Sequence, residues 1–258
     1  MESWRSGGAL AQRGFVAREE DNTLALAVET SGRYGSVAVG CGPRILHAQA
    51  FSGVMRHSAE LFETVTALLG QINKKAAHVE HVYLTIGPGS FTGLRIAATM
   101  AKMMALAAGT KIVTVGTLEA LAANATDYAK TIHAPLGRVG TILDAKRGRF
   151  FAALFACGPE GWTRLTPDAV VQHDAFLQQA LAGRDHLALL GEGLVYYRKR
   201  FEAVGVTILP ESTWYPQASA VYHIARQYAL EGRFADPVAL VPAYIQGPDA
   251  LELAQRRK

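Results

Sequence analysis

The eight histidines and two cysteines of this chain offer little to a metal ion or to nucleophilic chemistry. Two imidazoles grip one metal from a single helix when they sit a turn apart. His57, in Arg56-His57-Ser58-Ala59-Glu60-Leu61, has no such neighbour, and His78 with His81 reads as surface or strand-edge histidine. Cys41 and Cys157 each fall in a Cys-Gly-Pro turn, a poor basis for a disulfide scaffold or a four-ligand zinc site, and they suit a reducing compartment. No Walker-type run, nucleophile elbow or Ser/His/Asp set is present. Two acids remain, Glu29 and Asp144, each closing an apolar run and opening a polar loop: Glu29-Thr30-Ser31-Gly32 and Asp144-Ala145-Lys146-Arg147-Gly148. Such acids either hold hydrated magnesium or cap the amides of their own loops.

The elements around these loops are organised on one stretch, Ile86-Gly87-Pro88-Gly89-Ser90-Phe91-Thr92-Gly93-Leu94-Arg95, which takes a strand through a rigid Gly-Pro-Gly turn straight into a helix. That helix, expected over 92–108, is apolar around most of its circumference. Its only charges are Arg95 and Lys102, and Gly93, Ala97, Ala101, Ala105 and Ala108 form a stripe of small residues beside Met100, Met103 and Met104. A surface helix needs one apolar face, so the excess implies a partner helix. The expected docking surface is Gly93, Arg95, Ala97, Met100, Ala101, Met104 and Ala105, joined by His57 and Leu61 of the preceding helix.

In chain order, strands are expected at 24–28, 36–39 and 45–50, then a helix with Leu61, Val65, Leu68, Leu69 and Ile72 on one face and Ser58 as its N-cap. Strand 81–86, the central helix, strand 112–115 and helix 117–124 follow, giving β-β-β-α-β-α-β-α. A second copy begins near Val139, and both copies reach Cys-Gly-Pro after their second strand, which suggests duplication. Strands 139–144, 150–156 and 162–165, helix 174–182, strand 187–190, helix 194–203, strand 206–209 and helix 219–232 complete it. The expected divisions are a disordered extension at 1–22, an N-terminal lobe at 23–124, a C-terminal lobe at 125–245 and a basic tail at 246–258. Half of the residues are hydrophobic, the formal net charge is +4, and no apolar run reaches a membrane span, so a cytoplasmic protein without a membrane partner is expected.

Two α/β lobes with an acid ending the first strand of each resemble the actin-like ATPase (ASKHA) superfamily, built of two ribonuclease H-like lobes, each a mixed sheet flanked by helices. Within it, the run from Ile86 to Arg95 resembles the TsaB (YeaZ) family of bacterial tRNA threonylcarbamoyladenosine biosynthesis proteins. Supporting matches are Glu29-Thr30-Ser31 with Ser36-Val37-Ala38-Val39, Arg56-His57-Ser58, Asp144-Ala145-Lys146-Arg147-Gly148 and Pro242-Ala243-Tyr244. The resemblance covers about residues 23–245.

It implies a non-catalytic scaffold or activating subunit that binds TsaD, the subunit that transfers a threonylcarbamoyl group to the adenosine beside the anticodon. The ATPase TsaE is implied as a further partner, tRNA is reached indirectly through the complex, and the chain alone is expected to form a homodimer through the same surface. TsaD carries a metal-holding pair in the pattern Val-Asn-His-Met-Glu-Gly-His; here the stretch is Val115-Gly116-Thr117-Leu118-Glu119-Ala120-Leu121, without either histidine. No catalytic residue and no metal is therefore expected. Glu29, Thr30, Ser31, Ser36 and Asp144 are the implied remnant of a nucleotide loop, with no tightly bound cofactor and with ATP or ADP at the partner interface left open. The basic runs Lys146-Arg147-Arg149, Arg198-Lys199-Arg200 and Arg256-Arg257-Lys258 read as solvated surface, with direct tRNA contact as the alternative. The rival reading is a small-molecule kinase or ATPase of the same superfamily using the cleft between the lobes, with Gly191-Glu192-Gly193 resembling an adenosine-side turn.

Overall fold

The first strand, β1 (Leu24–Glu29), is buried along its whole length and alternates its side chains between two helical layers. Leu24, Leu26 and Val28 point to one layer, and Ala25 and Ala27 to the other. This computed structural model describes residues 22–183, 186–243 and 245. The expected extension, apart from Asn22, the basic tail and Tyr244 lie outside the described residues.

β1 pairs antiparallel with β2 (Ser36–Cys41), which pairs antiparallel with β3 (Arg44–Ala50); on its other side it pairs parallel with β4 (His81–Gly87), which pairs parallel with β5 (Lys111–Gly116). The sheet order is β3-β2-β1-β4-β5. Helices α1 (His57–Gln71) and α2 (Phe91–Ala108) cover one face. α1 starts one residue before the expected cap: Arg56 occupies the N-cap, and its side chain caps none of the helix amides. Ser52 instead ties down the entrance, its N–H and hydroxyl both donating to the Glu60 carboxylate, which also accepts from Arg56.

The second sheet repeats the first. β6 (Gly137–Asp144), β7 (Arg149–Gly158), β8 (Gly161–Arg164), β10 (Leu187–Leu190) and β11 (Val206–Ile208) are ordered β11-β10-β6-β7-β8, the same path as β5-β4-β1-β2-β3. The two Cys-Gly-Pro turns occupy the same position in each lobe, between the second and third strands, as a duplication requires. One strand escapes the sequence pattern: β9 (Ala169–Gln172) pairs with the first half of β7, while β8 pairs with its second half. Ten residues of β7 give one edge long enough for both. α4 (His173–Leu181) follows, and the expected helix over 194–203 is a short α5 (Leu194–Tyr197) tightening into a 3-10 turn at Arg198–Phe201.

The lobes exchange their last helices. α3 (Thr117–Thr131) runs unbroken through the expected boundary at 124 and packs Leu118, Leu121, Ala122 and Ala125 on the second sheet. α6 (Ala218–Leu230) returns Val221, Tyr222 and Ala225 to the free face of the first. The two helices also touch each other, so the lobes share buried surface and are held as a pair. Among the described residues no helix is long and apolar enough to cross a membrane.

Candidate functional site

Facing one another across the lobes are the β1–β2 loop and the β6–β7 loop, which line a cavity of about 490 Å³ together with the start of α2, Glu192 and Tyr196. In the first loop, Glu29 is fully buried, and its Oε1 accepts from Ser31 N–H at 2.6 Å, Ser31 Oγ–H at 2.6 Å and Gly32 N–H at 3.1 Å. The next amide, Arg33 N–H, donates to Glu192 Oε1 at 2.7 Å, across 159 residues of sequence. Gly32 is glycine for a visible reason: a Cβ there would stand 2.2 Å from Glu192 Oε1. The second loop repeats the device. Asp144 Oδ1 accepts from Lys146 N–H at 2.8 Å, and its Oδ2 pairs with Lys146 Nζ at 3.1 Å.

A phosphate cradle works by pointing bare amides at an anion. Here three consecutive amides of the first loop and one of the second already serve carboxylates of the chain itself. Both acids cap the amide two residues on, which favours the capping alternative for Glu29 and Asp144. Burial also acts on these acids: it raises the Glu29 pKa above its ordinary 4.5, against the Ser31 and Gly32 hydrogen bonds, and pushes Glu192 up to about 7. For Glu192 the Arg33 hydrogen bond opposes burial, and the nearby Glu29 charge reinforces it. Among the described residues Glu29 Oε2 has no hydrogen-bond partner.

The remaining expected loop residues have other work. Thr30 Oγ1 donates to the Gly93 carbonyl at 2.8 Å, pinning the loop to α2. Ser36 turns away from the cavity, and its hydroxyl accepts from Ala218 N–H at 2.9 Å at the start of α6.

Seven of the nine residues expected on the docking surface lie inside the chain's own fold. Ala97, Met100, Ala101, Met104 and Leu61 are buried in the core under α1 and α2. Gly93 is glycine because its Cβ would stand 1.9 Å from the Thr30 carbonyl oxygen. His57 is buried, its Nε2 2.9 Å from the Gly32 carbonyl, which makes this nitrogen the donor; burial holds its pKa below the ordinary value. The small-residue stripe lets α2 lie close to its own sheet and loop. Only Arg95, with its guanidinium 3.9 Å above the Phe91 ring centroid, and the half-buried Ala105 reach the surface.

The opposite side of α2 is also apolar. Met103 is 59% and Leu106 76% exposed, in line with Thr92, Arg95 and Thr99, and on the adjoining α1 Phe62 is 56% exposed beside Ala59 and Thr66. Charges on this two-helix face are Glu63, Arg95 and the half-buried Lys102, whose Nζ donates to the Val238 carbonyl at 3.3 Å. Most of the residues expected on the docking surface thus lie on the buried side of these two helices, and the exposed side carries other apolar residues. Arg33 and Tyr196 are not singled out by the sequence for the site, and Glu192 stands out only in Gly191-Glu192-Gly193, as resembling an adenosine-side turn; here its carboxylate takes an amide of the first loop. Among the described residues no group of three or more His, Cys, Asp or Glu side chains is placed to hold a metal ion.

A family model described as TsaD, tRNA N6-adenosine threonylcarbamoyltransferase, matches residues 45–226. A relative from Bacillus subtilis (strain 168), the tRNA threonylcarbamoyladenosine biosynthesis protein TsaB, is 26% identical over 197 residues, which is 75% of this chain and 81% of the relative. The chain belongs to the TsaB (YeaZ) branch of the TsaD family. The fold agrees: YeaZ from Pseudomonas aeruginosa superimposes with a TM-score of 0.72 at 22% identity, covering 86% of this chain and 99% of that one. A second Pseudomonas aeruginosa structure, described as an uncharacterized protein with similarity to peptidase YEAZ, gives 0.72 over 87% of this chain and all of its own. At the positions where the resemblance sets the metal-holding histidines of TsaD, Thr117 and Leu121 are both fully buried, Leu121 in the core of the second lobe.

Proposed function

We propose that this chain is a non-catalytic subunit of tRNA threonylcarbamoyladenosine synthesis that supports TsaD, docking through the outer face of α1 and α2. The observation that carries the reading is the filled cradle. Glu29 and Glu192 together take the Ser31, Gly32 and Arg33 amides that a nucleotide phosphate would need. Two of these amides are tied within the first loop and the third joins the lobes.

The docking face follows from exposure. Phe62, Met103 and Leu106 set three large apolar side chains on adjoining helices, a patch that gains stability when covered. Its helical geometry suits a partner helix pair, either from TsaD or from a second copy of the chain, so heterodimer and homodimer compete for it. TsaE joins through TsaD, and the tRNA is bound by the assembly. Purified TsaD assayed with and without this chain tests the reading: threonylcarbamoyl transfer to tRNA rises with the chain present and scales with the complex resolved by size exclusion. Full transfer by TsaD alone refutes it.

A further inference from the structure

The basic runs at 146–149 and 198–200 lie fifty residues apart in sequence, yet they meet in space. Arg200 Nη1 stands 3.1 Å from where a Cβ on Gly148 would be. Segments 144–149 and 198–202 hold six cations, Lys146, Arg147, Arg149, Arg198, Lys199 and Arg200, against two acids, Asp144 and Glu202. The surplus, six minus two, is four, equal to the formal net charge of the whole chain, so the rest of the sequence balances to zero. Both acids are engaged locally, Asp144 with Lys146 at 3.1 Å and Glu202 with Arg198 at 3.4 Å.

The backbone presents these groups outward. Lys146 and Arg147 have φ of 68° and 55°, a left-handed conformation that branched and bulky side chains rarely take, and the Lys146 side chain is 81% exposed. At one end of the strip stands Tyr196, 64% exposed, with the Arg33 guanidinium 5.0 Å from its ring centroid. An aromatic face beside a row of cations is the combination that tracks a nucleic-acid backbone and stacks a base. A strip made only for acidic peptide has no need of the ring.

We propose that this joined basic strip, with Tyr196, docks the phosphodiester backbone of an RNA, so that the chain contacts the tRNA directly. The inference rests on the reading of the chain as part of a tRNA-modifying assembly. It deepens that reading, because a scaffold that grips the substrate also positions it.

The test uses a fluorescently labelled, unmodified tRNA transcript and the full chain, alone and with TsaD, at several salt concentrations. The triple variant R147E/K199E/R200E changes only surface side chains, and its thermal unfolding is checked against the wild type. The expected result is tRNA affinity at least tenfold weaker for the variant, with a salt dependence shallower by about 0.7 to 0.9 for each phosphate no longer neutralised, while association with TsaD is unchanged. Equal affinity of variant and wild type overturns the proposal and leaves the scaffold reading standing. Binding of polyglutamate as tight as binding of tRNA overturns it in favour of an acidic protein partner. Failure of the scaffold reading is seen separately, as TsaD activity indifferent to the chain.

Discussion

The Glu192 carboxylate of the second lobe accepts the Arg33 backbone N–H of the first at 2.7 Å, beside Gly32, where any Cβ would stand 2.2 Å from the same oxygen. This is a buried charge held against an amide, and the neighbouring Glu29 carboxylate repels it. The contact therefore joins the lobes most cheaply when one of the two acids is protonated.

Stability should accordingly depend on pH in a definite direction. Glu192 titrates at about 7 in the fold and near 4.5 when unfolded, so between these values the folded chain holds the extra proton. Its contribution is complete below pH 4.5, falls as pH rises, and is gone above 7, on the order of 3 kcal/mol across the window. Buried Glu29 slopes the same way, and His57, with its pKa lowered by burial, slopes the opposite way as pH falls below 6.5. Urea denaturation at steps between about pH 4.5 and 8 should show a shallower decline with rising pH for Glu192→Gln than for wild type. Parallel profiles would show that Glu192 is not the group responsible.

Removing the plug should also change what the cleft accepts. Glu192→Ala frees the Arg33 N–H, and calorimetry should find inorganic phosphate bound more tightly by the variant than by the wild type. The wild-type chain should give no tight magnesium–ATP binding. Tight binding by the unmodified chain would instead favour the kinase or ATPase reading.

The same substitution at two glycines should have opposite signs. Gly93→Ala drives a Cβ toward the Thr30 carbonyl, so α2 or the loop must move, at a cost of about 1–3 kcal/mol. Gly70, on the outer side of α1, has open space within 4 Å of where the new methyl would lie, and Gly70→Ala should gain about 0.5–1 kcal/mol. Thermal melts of the two variants side by side check both signs.

Much of the fold was legible because strand alternation and repeated turns are local signals. The order of the first lobe, the repeat beginning near Val139 and the matching Cys-Gly-Pro turns all follow from short stretches of sequence. The stripe of Gly93, Ala97 and Ala101 was legible too, but only as a sign that something approaches α2 closely. Small residues do not say what approaches, and here it is the chain's own Thr30 loop and sheet. Glu192 was illegible for a related reason, since its partner is 159 residues away and is a backbone amide, which leaves no trace in residue type. The exchange of α3 and α6 between lobes was hidden likewise, because an amphipathic helix records that it is buried and not which sheet buries it.

The proposed docking face, on the exposed side of α1 and α2, makes the last expectation sharp. Ala101→Trp, which a docking role for the stripe would have recommended, places a large ring in a site with no exposure and should unfold the chain rather than test an interface. Leu106→Glu and Met103→Glu instead act on side chains that the fold leaves exposed, so melting temperature should stay within about a degree or two. Each should weaken association with TsaD, and any self-association, by about tenfold or more, because covering the face strips the new carboxylate of its hydration and removes a large apolar contact. Size exclusion and calorimetry against TsaD read this directly. Unchanged affinity in both variants, with the fold intact, would remove the outer face of α2 from the interface.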